Sequence, residues 1–173
     1  MRTCGVTLKK LRCILLLCLS MQIATASEPL NFYIDYSLIP DEAAMRAHDL
    51  SIVSPQARFD MARVHKTGQE IYAYISVVEV ASDAPYRPKL EPNGIRLMGT
   101  NELWKSDFAD IAAPEWTRFV LSELAAPIVE QGFDGFFLDT VDSHELLAQG
   151  FPDRAQEFRK GIISLIKALK SAH

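Results

Sequence analysis

Carboxylates recur in this sequence where strands would end. Asp35 closes Asn31–Tyr36, Glu79 follows the run that starts at Ile71, Asp139 follows Phe136, Phe137 and Leu138, and Asp142 stands just beyond. Two carboxylates flanking a sugar bond are the working parts of a glycosidase, one as acid and the other as base or nucleophile. Tyr33, Tyr74 and Trp104 fall in the same segments and offer apolar ring faces on which a sugar could stack. Structural roles compete with each assignment. Asp35 could bond a loop backbone, Glu79 could be a solvated acid, and Asp142 has the right type for a helix N-cap. Trp104 could anchor a loop, and Trp116 has the spacing of helix core. Asp139 is set apart because the apolar residues before it read as buried strand, and an unpaired buried carboxylate is costly.

Other chemistries find little purchase. His48, His65, His144 and His173 lack metal-ligand spacing such as H-E-x-x-H. Asp139, Asp142 and His144 lie close in sequence, but such spacing is common by chance, and neither a metal nor another cofactor is expected. No G-x-S-x-G elbow marks a serine hydrolase. No glycine-rich phosphate loop follows the first strand.

The elements that must position these residues alternate between strands and helices. Asn31–Tyr36 and Leu50–Val53 read as strands, with a short helical turn around Asp41–Arg46. Ser54-Pro55 has the form of a helix start, predicting a helix to about Thr67 that stops at Gly68. Ile71–Val80 is a strand by its β-branched and aromatic content. Residues 81–112 carry Pro85, Pro88, Pro92 and Gly94 and read as one long loop. Pro114 opens a helix with Trp116, Val120, Leu124 and Ile128 on one stripe, ending at Gly132. Phe133–Leu138 is a short apolar strand, and the last helix carries Phe158, Ile162, Leu165, Ile166 and Leu169 on one face. Strands joined through helices predict a parallel α/β sheet, either a (β/α) barrel or an open doubly wound sheet. In both, the site lies at the carboxyl ends of the strands.

The N-terminus reads as a leader rather than as fold. Arg2, Lys9, Lys10 and Arg12 precede the short apolar run Cys13–Leu19, and Ala24-Thr25-Ala26 is a small-x-small cleavage site. The apolar run is far shorter than the ~20 residues that span a bilayer. Residues 1–26 are therefore expected to be a signal peptide, residues 27–173 one domain, and the mature protein secreted or periplasmic. All three cysteines, Cys4, Cys13 and Cys18, fall in the leader. Without its four basic residues the chain keeps 14 Lys and Arg against 22 Asp and Glu, a formal charge of −8. That balance argues against nucleic acid or an anionic membrane as partner and favours a cationic ligand.

The phrase Gly132-Phe-Asp-Gly-Phe-Phe-Leu-Asp-Thr-Val-Asp-Ser143 resembles glycoside hydrolase family 114, together with Tyr74-Ile-Ser-Val-Val-Glu79 and the series Trp104, Asp107, Pro114 and Trp116. The family contains endo-α-1,4-polygalactosaminidases and the hydrolase domain of the Pel exopolysaccharide protein. The resemblance implies a (β/α)8 TIM barrel, a galactosamine-containing polysaccharide as substrate and no metal. By motif, Asp139 matches the catalytic aspartate at the end of the fourth strand and Glu79 the acid of a Y-x-S-x-G-E phrase, in which Val78 replaces the usual glycine. Tyr33, Asp35, Tyr74, Trp104 and Asp142 are then expected to bind substrate. A barrel of this kind takes ~250 residues, so the chain is expected to be a truncated or split form with about half the barrel, its second catalytic glutamate lacking a counterpart. Alone it would be inactive and marginally folded, unless a second half-barrel chain or a homodimer closed it. The alternative is a non-catalytic exported carbohydrate-binding relative.

Overall fold

A computed structural model describes residues 30–65 and 68–172. The predicted leader, its cysteines and the Ala26 cleavage site lie outside the described residues. Four parallel strands form the central sheet: β1 (Phe32–Asp35), β2 (Leu50–Val53), β3 (Glu70–Ser76) and β7 (Gly135–Asp139), side by side in that order. Helices link them: α1 (Glu42–Arg46), α2 (Met61–His65), α3 (Pro114–Phe119) continuing through a π-wound segment Val120–Ala125 into α4 (Ala126–Glu130), and after β7, α5 (Ser143–Gly150) and α6 (Ala155–Ala172). A strand order that advances without reversal is that of a barrel. A doubly wound sheet would reverse at a switch point. The architecture is α/β, with a four-stranded arc of barrel.

Pairing fixes which side chains share a face, because successive residues of a strand point to opposite faces. Ile71, Ala73 and Ile75 of β3 point outward and are buried with Met45 of α1, Val64 of α2 and Ile128 of α4. Tyr72, Tyr74 and Ser76 point inward, in register with Gly135, Phe137 and Asp139 of β7. Gly135 leaves room for Tyr72, whose ring would stand 2.9 Å from an added Cβ. The inner face at the free edge is open: Phe32 is 55% exposed and Ile34 44%. Trp116, Phe119, Val120 and Ile128 bury one side of the long helix, and Phe158, Ile162, Leu165 and Leu169 bury one side of α6. At Gly161 the backbone of α6 presses on Ile111, where a Cβ would lie 2.1 Å from the carbonyl oxygen.

Three expectations need correction. The helix predicted from Ser54 starts only at Met61. Ser54 instead forms a tight turn, its Oγ accepting from the Gln56 amide at 3.2 Å, while Asp60 caps the helix by accepting from the Arg63 amide at 3.0 Å. The strand predicted over Ile71–Val80 is two strands. The chain leaves the barrel after Ser76, because the Val78 and Glu79 amides donate to Thr140 Oγ1 and not to a neighbouring strand. The long loop is also structured. β4 (Glu79–Ala81), β5 (Leu97–Asn101) and β6 (Ser106–Ala109) make a three-stranded antiparallel ribbon in the order β4-β6-β5.

Charged pairs lock that ribbon down. Arg87 pairs with Asp107, which also accepts from Thr100 Oγ1 at 2.7 Å. Asp110, 1% exposed, holds Arg96 at 2.5 Å and Arg154, ahead of α6, at 2.9 Å.

Candidate active site

Between the carboxyl ends of the barrel strands and the ribbon lies a cavity of about 900 Å³. Its lining includes Tyr74, Glu79, Trp104, Asp139 and Asp142, five of the seven residues singled out from the sequence, joined by Tyr36, Asp83, Tyr86, Thr140 and Ser143.

Asp139 is held from two sides. Tyr74 Oη donates to its Oδ2 at 2.7 Å, and the Thr140 amide donates to its Oδ1 at 2.8 Å. The Tyr74 bond follows from register: Ser76 pairs with Asp139, so Tyr74 stands two residues back on the same inner face. Burial, and after it the bond to Asp139, push the Tyr74 hydroxyl well above the ordinary tyrosine range. Burial and the Asp139 charge also raise Tyr36, whose ring lies 4.9 Å from that of Tyr74, and burial pushes Tyr86 up to about 12. The cavity tyrosines therefore stay protonated near neutral pH, and Tyr74 can only donate to Asp139.

Glu79 is built into the wall. Its side chain is buried, at 4% exposure, and both carboxylate oxygens are occupied. Ser143 Oγ donates at 2.5 Å and Asn101 Nδ2 at 3.2 Å to one oxygen, and Ser106 Oγ donates to the other. The donors come from α5, β5 and β6, so this carboxylate ties the ribbon to the helix after β7. A saturated carboxylate of this kind is an acceptor and a brace, and it is poorly placed to pass a proton.

Trp104 is 74% exposed at the tip of the β5–β6 turn, and it lines the cavity mouth rather than anchoring the loop. Trp116 is core, its Nε1 donating to the Val77 carbonyl at 2.8 Å. Asp142 precedes α5 but makes no capping bond with its side chain. Among the described residues no group of three or more His, Cys, Asp or Glu could hold a metal ion.

Tyr33 and Asp35 do not join the cavity. They pair with Ser51 and Val53, whose side chains face the helices, so the alternation of β1 turns both away from Asp139. Tyr33 Oη donates to Asp35 at 2.8 Å, and Asp35 also accepts from the Ser37 amide at 2.8 Å. The Ser37 bond first, then Tyr33, holds the Asp35 carboxyl below the usual carboxylate range. Tyr36, one residue on, lines the cavity in their place. The same period-2 count that makes Asn31–Tyr36 a strand could have found it. Ser106, Asn101 and Thr140 gave no comparable signal, because they are brought in by ribbon pairing and by one unusual backbone angle.

The protein-family model for glycoside-hydrolase family GH114 matches residues 22–173. Among solved structures, the glycoside hydrolase domain of PelA from Pseudomonas aeruginosa is similar at 28% identity and a TM-score of 0.66, covering 80% of this chain and 53% of that one. A variant of the same domain matches at 27% identity and a TM-score of 0.67, covering 82% and 55%. Aspergillus fumigatus Ega3, solved in complex with galactosamine, shares the fold at 15% identity and a TM-score of 0.65, covering 83% and 55%. The chain thus spans about half the length of these structures. A search of curated proteins gives no significant match.

Proposed function

This chain belongs to glycoside-hydrolase family GH114, and from that premise we propose that it acts on a galactosamine-containing polysaccharide with Asp139 as its reacting carboxylate. The observation that carries the proposal is the setting of Asp139. Two donors fix its oxygens at one end of a large cavity whose rim offers Trp104 as a stacking surface. An aspartate oriented in this way suits the role of nucleophile toward a sugar carbon or base toward a water. Asp83 and Asp142 add negative charge to the lining and suit a substrate that carries ammonium groups. Tyr36, Tyr74 and Tyr86 supply ring surface, and Tyr36 and Tyr86 hydroxyl donors, to a sugar.

Glycoside hydrolysis needs a second carboxyl group. With Glu79 engaged in the wall, the partner acid is Asp83 or Asp142 of the cavity, or a group on the strands that would complete the barrel. Among the described residues the central sheet has four strands, where a closed barrel of this kind has eight. Activity is expected once the barrel is completed over Phe32 and Ile34, whether by further strands of the polypeptide, by a second half-barrel chain or by a second copy. The protein is exported with cleavage after Ala26, which N-terminal sequencing of the mature product would check. No described helix is long and apolar enough to cross a membrane.

Reducing-end release from partly de-N-acetylated polygalactosamine tests the proposal, with oligomeric state measured on the same sample. Cleavage by the wild type and loss of cleavage in Asp139→Asn are expected, and the oligomeric state shows whether a second copy completes the barrel. The engagement of Glu79 in the wall favours one competing reading, a carbohydrate-binding relative without activity. Equal binding of the polymer by wild type and Asp139→Asn, with no cleavage by either, would establish it.

A further inference from the structure

Thr140 follows Asp139 with a φ of 60°. A left-handed backbone is a genuine outlier for a β-branched residue, and glycine would adopt it without cost. Such conformations persist where surrounding contacts over-determine them, and they cluster at functional sites.

The contacts here are complete. Ser76 Oγ has one hydrogen, and it lies 2.6 Å from the Glu79 carbonyl oxygen, its acceptor. In the 3.0 Å contact between the Ser76 and Thr140 hydroxyls, Thr140 must therefore donate. Thr140 Oγ1 in turn accepts from the Val78 amide at 3.0 Å and the Glu79 amide at 3.3 Å. One hydrogen given and two accepted use the full capacity of a hydroxyl. The same residue's amide donates to Asp139 Oδ1 at 2.8 Å, and its carbonyl accepts from the Ser143 amide at 3.0 Å.

We infer that Thr140 is a positioning residue that sets two acids of the cavity, Glu79 and Asp139, at once. Its hydroxyl pins the turn that carries Glu79, and that pinning holds the left-handed bend which aims its amide at Asp139. Its carbonyl fixes the start of α5, whose Ser143 completes the cage around Glu79. Glycine would relieve the backbone and lose the hydroxyl. Valine would keep the shape and lose the bonds. Serine would keep the bonds. The catalytic consequence rests on the function proposed above, whereas the coupling between hydroxyl and amide does not.

The test compares Thr140→Ser, Thr140→Val and Thr140→Gly in the full chain. Amide hydrogen exchange is read at Val78, Glu79 and residue 140, and hydrolysis of polygalactosamine is read as separate kcat and KM. Serine should keep wild-type protection. Valine and glycine should speed exchange at all three amides by about tenfold or more, with the ladder between β3 and β7 unchanged. In hydrolysis kcat should fall by roughly 10- to 100-fold with KM nearly constant, the signature of a misaimed group. Faster exchange of the residue-140 amide in either variant supports the inference, and glycine decides if the valine variant does not fold. Wild-type protection of that amide in both variants, or a serine variant that behaves like valine, would overturn it. If the wild type neither binds nor cleaves the polymer, the proposed function fails while the exchange data still decide this point.

Discussion

Glu79 offers the sharpest separation of a reacting acid from a structural one. Glu79→Ala removes an acceptor that is 4% exposed and serves Ser106, Ser143 and Asn101. Hydrogen bonds to a charged group contribute about 1.5–3 kcal/mol each, so three abandoned donors set an upper range near 5–9 kcal/mol. Two effects reduce it. The carboxylate's own desolvation is relieved, and water from the adjoining cavity reaches the vacated space. A net loss of about 3 kcal/mol is expected, with about 1.5–2 kcal/mol for Ser143→Ala. Because Ser143 Oγ donates to Glu79, the serine change should cost almost nothing once Glu79 is gone. The double-mutant cycle should therefore give a coupling energy of at least about 1 kcal/mol. Urea unfolding followed by the fluorescence of Trp116, buried and stacked on Phe119 at 5.8 Å, is the assay. Additive costs, or a Glu79→Ala protein within about 0.5 kcal/mol of wild type, would refute the brace and return Glu79 to the list of acids free to react.

Three further outcomes are expected. Trp104→Ala should leave stability within about 0.5 kcal/mol, since the ring is 74% exposed, yet weaken binding of galactosamine oligosaccharides by about tenfold in calorimetry. Asp110→Asn should destabilise by about 2–3 kcal/mol in urea unfolding, because Arg96 and Arg154 lose a buried partner. Burial is the largest single influence on Asp110 and raises its pKa, but the bonds and charges of Arg154 and Arg96 together outweigh it, so the net shift is downward. A depressed folded pKa contributes stability above the unfolded value of about 4 and loses it as pH falls through the folded value. The gap between wild type and Asp110→Asn should therefore shrink below about pH 4, and a gap constant with pH would count against the pairing. Asp139→Asn should lower kcat on polygalactosamine by about 10²–10⁴-fold while the thermal unfolding midpoint stays near wild type.

Much of the barrel arc was legible because its signals are local. The β-branched runs of β2 and β3, the apolar stripe of α6 and the strand before Asp139 all carry their own periodicity. The ribbon was not legible. β4 continues the hydrophobic run of β3 in sequence, and only the diversion of the Val78 and Glu79 amides to Thr140 separates the two strands. β5 and β6 are held by Arg87, Asp107, Arg96 and Asp110, partners that no short window contains. The site followed the same rule. Asp139 could be read from the apolar strand that precedes it, and Tyr74 from its own strand. Tyr33 and Asp35 miss the cavity by a single step of strand alternation. The burial of Glu79 needed three donors from distant segments, none of which announces itself in the sequence.

The most direct test of an Asp139-centred sugar cleft is chemical-shift mapping of the labelled chain with a galactosamine oligosaccharide. Shifts are expected at the Trp104 indole, at Tyr74 and Tyr36, and at the amides of Thr140, Asp142 and Ser143, and the amide responses should weaken in Asp139→Asn. Shifts confined to the open inner face at Phe32 and Ile34 or to the groove of Val141, Ile162 and Ile166 between α5 and α6, with the Asp139 surroundings silent, would contradict it.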